Sequence, residues 1–200
     1  MMKRIAFGLL MLTSGLAWAD PHYPGLQVAV QRDGGVYSFT AKFDSPLSKC
    51  AAYRYLTDYE AAKELPGMVE SLALRESASK VKVERTVDEH VLFVTVRLRS
   101  VMEYTERPYD GLALIQLTGD SKSFRGNWHI EANPTGSTLS FQGTWQPDSM
   151  IPLFIIDHFA QNGLLDRFSD IARMGEQRKD KFAASCANTQ YAKNGEQVLP

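Results

Sequence analysis

The chain has 200 residues, with 22 Lys and Arg against 23 Asp and Glu and a formal net charge of −1. That balance, without a basic run beyond the first few residues, argues against a nucleic-acid partner, because phosphate recognition needs a concentrated positive footprint. The length fits one domain with a real core better than two small ones.

Lys3 and Arg4 give a positive start, Ile5 to Leu16 an apolar stretch, and Ala17-Trp18-Ala19 small residues at the two positions that a signal peptidase reads. This is the three-part pattern of a removable signal peptide. The apolar stretch is about twelve residues, short of the roughly twenty that a membrane-spanning helix needs. Cleavage after Ala19 is therefore expected, with a periplasmic or secreted product starting at Asp20. No cysteine follows the cleavage site to carry a lipid, and Lys3-Arg4 is not a twin-arginine pair. Past the signal no apolar run approaches spanning length, although nothing in the sequence forbids transient membrane contact. The expected division is 1–19 signal peptide, 20–183 one domain, and 184–200 a polar tail.

Leu26 to Arg32 alternates apolar and polar residues, Asp33-Gly34-Gly35 is a tight-turn sequence, and Val36 to Phe43 alternates again, which predicts a β-hairpin. Ser45-Pro46 opens a short helix through Tyr55, and Thr57-Asp58 caps a second one that stops at Pro66-Gly67. Period two then returns in six runs between Val69 and Trp145. Their joints are turn-like: Ser77-Ala-Ser79, Asp88-Glu89-His90, Arg107 to Gly111, Gly119-Asp120 and Asn133 to Gly136. Such short connections predict an antiparallel meander. After Pro152, Leu153, Ile156, Ala160, Leu164, Phe168 and Ile171 recur at three- and four-residue steps, the stripe of one long helix that covers the sheet.

Cys50 and Cys186 both lie in the exported part, so a disulfide is the natural inference, with two buried thiols as the alternative. A C-x-x-C motif is absent, and catalytic redox chemistry is not suggested. His22, His90, His129 and His158 show no metal-ligand spacing. Ser77-Ala-Ser-Lys80 matches S-x-x-K only by chance, since it falls in a turn and lacks companion motifs. No Walker, G-x-S-x-G or G-x-G-x-x-G sequence is present, so neither an enzyme signature nor a cofactor site is read.

Leu56-Thr-Asp-Tyr59 with Leu65-Pro-Gly67, then Phe124-Arg-Gly-Asn-Trp128, then Thr138-Leu-Ser-Phe141, then the helix after Pro152 carry a resemblance to the START-like superfamily, in particular its polyketide cyclase/dehydrase and coenzyme-Q-binding types. The similarity runs from about Leu26 to Lys179. It implies an α+β helix-grip fold, with a curved antiparallel sheet wrapped around a long carboxy-terminal helix and two short helices between early strands. Such a sheet does not close tightly on its helix, and the gap becomes a pocket with mainly apolar walls. The signal peptide and the cysteine pair depart from many cytosolic relatives, so their substrates do not carry over.

Within that implied fold, Phe124, Trp128 and Ile130 share one side of their strand, and Leu139, Phe141 and Trp145 one side of the next, each face with a glycine, Gly126 or Gly143. These, with Ile156 and Leu164 from the helix, are the expected pocket lining. Arg97 and Arg99 join them if their side faces inward, where a guanidinium would hold an acidic head group; facing outward they are ordinary solvated strand residues. The expected function is periplasmic binding of a hydrophobic small molecule, such as a lipid, isoprenoid or polyketide-like compound, without chemistry. The alternatives are an aromatase/cyclase-like or small hydrolase enzyme using the same pocket, and an envelope interaction module with a filled core. Oligomeric state is not readable.

Overall fold

The computed structural model describes residues 22–91, 93–148 and 152–195, so the expected signal peptide lies outside the described residues. Strands β1 (Gln27–Asp33) and β2 (Val36–Ser45) form the expected hairpin; Asp33 pairs with Val36 and Gly34 sits at φ 57°, the left-handed backbone that a two-residue turn demands. Helix α1 (Lys49–Leu56) is capped by Ser48, whose Oγ accepts from the Ala51 amide, and it turns Ala51, Ala52 and Tyr55 to the interior. A 3-10 helix follows at Glu60–Glu64. Thr57-Asp58 does not cap it: the Thr57 hydroxyl donates back to the Tyr53 carbonyl and closes α1, while Asp58 accepts from Lys181.

The meander then runs β3 (Met68–Arg75), β4 (Lys80–Val91), β5 (Val94–Arg107), β6 (Gly111–Gly119), β7 (Ser121–Asn133) and β8 (Gly136–Pro147). All neighbours are antiparallel, in the order β1-β2-β8-β7-β6-β5-β4-β3, so the first hairpin joins the far end of the meander. Asp88-Glu89-His90, expected as a turn, is strand. Asp88 pairs with Arg97 and accepts its Nε and Nη2 at 2.7 Å each, and His90 pairs with Thr95 through a 2.8 Å hydrogen bond. Polar residues remain in a ladder when a partner strand offers matching groups.

Register shifts at Val69 in β3, Leu117 in β6 and Lys122 in β7 bend the sheet. Where Gly126 faces Gly143 the Phe141 ring lies against both backbones, and a Cβ at either position would collide with it.

In the concavity lies the long helix, made of α2 (Leu153–His158), a π-helical turn (Phe159–Gly163) and α3 (Leu164–Gln177) in unbroken succession. It is pinned at both ends. Tyr37 donates to Asp157 at 2.5 Å, with Arg32 on the same carboxylate, and Tyr55 donates to the Ile171 carbonyl at 2.6 Å. The short helices are tied to the sheet by Glu106, 7% exposed, which accepts from Tyr53 and Tyr59 and takes Arg75 bidentately at 2.8 and 3.1 Å. Burial and the Glu106 charge push the Tyr53 phenol up to about 12.

Where a polar tail was expected, the chain forms helix α4 (Lys179–Gly195). Its apolar residues make no stripe, so periodicity does not mark it. Phe182 seats it edge-on against Tyr55, and the Cys50–Cys186 disulfide, spanning 136 residues, holds it to α1.

Candidate ligand cavity

Every inward position of β5 from Leu98 to Tyr104 follows the strand's period of two, and Leu114 and Gln116 do the same on β6. Opposite them the long helix presents Phe159, Leu164, Phe168 and Ile171, and between the two layers lies a cavity of about 270 Å³. Phe39 on β2, Phe124 and Trp128 on β7, and Phe141 and Trp145 on β8 complete its walls.

The aromatic side of this space is closed by ring packing. Trp128 meets Phe141 at 5.0 Å between centroids, and Phe168 of the helix sits 5.4 Å from Phe141 and 5.8 Å from Trp128. Rings at such separations in tilted or edge-on pairs are mutually attractive. Strands β4, β5 and β6 line the cavity with a mixture of apolar side chains (Val87, Leu98, Met102, Leu114) and polar ones (Ser100, Gln116).

Of the residues singled out from the sequence, Phe124, Trp128, Phe141, Trp145 and Leu164 line the cavity. Ile130 and Leu139 do not: they pair across β7 and β8, and both are fully buried in the core. Ile156 faces a separate small crevice with Trp145, Val96 and Ile155. Arg97 points outward onto Asp88, so it contacts no cavity, and Arg99 is exposed at the rim, bordering both the cavity and a groove on the outer face. The reason is phase: Leu98 takes the inward position, and its neighbours in a strand must face out. The same phase, read from Leu98, marks Ser100, Met102 and Tyr104 as inward, which the sequence reading passed over. Phe39, Phe159, Glu89 and Arg167 carried no local signal.

Glu89 and Arg167 form the one ion pair in the cavity wall among the described residues. Arg167 Nη2 donates to Glu89 Oε1 at 2.6 Å and Nη1 to the Pro66 carbonyl at 2.6 Å, each side chain 18% exposed. Gly67 permits this closeness; at φ 74° a side chain there would be strained and would meet the Asp88 carbonyl. Beyond the pair lies a polar cleft of about 250 Å³ bordered by His90, His158, Asp166 and Asp170, the last with its carboxyl raised by burial. Among the described residues no group of three or more His, Cys, Asp or Glu is placed to hold a metal ion.

No family model matches the sequence, and no curated protein matches it. Solved structures do. StfQ, a di-domain aromatase/cyclase of the steffimycin biosynthetic pathway, aligns with TM-score 0.62 at 14% identity over 74% of this chain, which spans 52% of that protein. A STAR-related lipid transfer protein from Xanthomonas axonopodis aligns with TM-score 0.61 at 14% identity, covering 76% of this chain and 94% of that fragment. Zhui aromatase/cyclase from Streptomyces sp. R1128 gives TM-score 0.55 at 13% identity, covering 76% and 95%. Identities this low speak to architecture alone: the chain has the START-like helix-grip fold.

Proposed function

We propose that this protein binds a hydrophobic small molecule between its sheet and long helix, outside the cytoplasm and without transforming it. The observation that carries the reading is the cavity itself, walled mainly by aromatic and aliphatic side chains, while the one ion pair in its wall among the described residues, Glu89 with Arg167, is closed on itself. Apolar surface moved from water into such a space gains roughly 25 cal/mol per Å², so binding needs no reactive group. The Glu89 carboxylate is engaged by Arg167. The lipid-transfer and aromatase/cyclase neighbours make a hydrophobic guest a natural use of the fold. The export signature and the disulfide support an oxidising compartment.

Native mass spectrometry on protein recovered from the exported fraction tests this. The expected result is a chain starting at Asp20 that carries, or takes up from a lipid and isoprenoid panel, one apolar molecule. Leu98→Trp, which drives an indole into the cavity, abolishes the uptake. A correctly folded protein that neither carries nor acquires any such molecule overturns the reading.

A further inference from the structure

The cavity has one polar margin that the protein does not fill. Ser100, Gln116 and Ser121 border it from the adjoining strands β5, β6 and β7. The Gln116 amide donates to the Ser121 carbonyl at 2.7 Å, which fixes the side chain and leaves its Oε1 to accept. The Ser121 hydroxyl accepts the Trp145 indole N–H at 2.8 Å and keeps its own proton to donate. The Ser100 hydroxyl is engaged by no hydrogen bond among the described residues. One acceptor and two hydroxyl donors thus face the same space.

Size and charge narrow the guest further. About 270 Å³ is the room of about nine waters at roughly 30 Å³ each, just below the usual range of ligand pockets. A bicyclic ring system fits; a two-chain lipid does not. An ionised group brought into the interior would find Glu89 and Arg167 already paired and Arg99, the other charged lining residue, out at the solvent-exposed rim, and burying a charge without a partner is costly.

From these observations we infer that the ligand is a compact, neutral molecule with a hydroxyl group, whose oxygen is held by Ser100, Gln116 and Ser121. The inference rests on the binding function proposed above and specifies its ligand. A hydroxyl suits the margin because it both accepts from a serine and donates to Gln116 Oε1, whereas a plain hydrocarbon leaves those groups unused.

Calorimetric titration of the intact protein with 1-naphthol, naphthalene and 1-naphthoate, and with dioleoylphosphatidylcholine vesicles, decides it. 1-Naphthol is expected to bind roughly tenfold tighter than naphthalene, the scale of one or two net hydrogen bonds, and 1-naphthoate more weakly than 1-naphthol. Ser100→Ala and Gln116→Leu, each checked for an unchanged thermal midpoint, lose the preference for naphthol while keeping affinity for naphthalene. Equal binding of naphthol and naphthalene, preference for the naphthoate, or extraction of the phospholipid alone overturns the inference and leaves hydrophobic binding standing. Binding of none of the four overturns both.

Discussion

Phe141 shows how much one side chain asks of its neighbours. Its ring lies over two facing glycines, touches Phe39 and Trp128, and receives Phe168 from the helix. Gly143→Ala would push a methyl into the Phe141 and Phe39 rings, both of which would have to shift out of their present contacts. Overpacking of this kind costs about 1–3 kcal/mol. A lower urea midpoint at constant slope is the expected outcome, and a variant as stable as the parent would mean that the rings relax freely. The glycines were legible as a sign of bending or close approach. That the approaching group is Phe141, two residues before Gly143, was not, because it depends on how sharply the sheet curls.

At the scale of elements, phenols do much of the joining. Tyr53 ties α1 to β5 through Glu106, and Tyr37 ties β2 to α2 through Asp157. Burial raises both phenols to about 12, helped by the neighbouring carboxylates. Because the folded state favours the neutral phenol, this contribution is complete below pH 10, declines between pH 10 and about 12, and is gone above. Circular dichroism recorded together with tyrosinate absorbance should show unfolding within that window, and Tyr53→Phe should remove part of the dependence. Strands were readable from period two because each has a wet and a dry face. Asp88 to His90 misled because its polarity is satisfied across the ladder by Arg97 and Thr95, residues that a local reading does not bring opposite.

For the molecule as a whole, the disulfide is the device that ties the last helix to the first. Among its described side chains α4 contributes one buried ring, Phe182, and the Cys50–Cys186 bond closes a loop of 136 residues. Loss of a crosslink that long is worth roughly 5 kcal/mol in the chain-entropy model. Cys50→Ser with Cys186→Ser should lower stability by about that much, and amide exchange in α4 should rise while β7 and β8 stay protected. Uniform exchange throughout would show that α4 is held by packing instead.

The sequence by itself determined the order of the strands, the covering helix and most of the aromatic wall, since each follows from a repeat or a turn residue, and two cysteines behind an export signature led to the expectation of a disulfide. Only the tertiary structure decided which face of β5 looks inward, where α4 rests, and that Glu89 meets Arg167. Those depend on strand phase and on contacts between residues far apart in the chain, and a local pattern carries no information about either. The cavity belongs to the same class: it is the space left after the Phe141 cluster fills one side of the concavity, and no single segment encodes it.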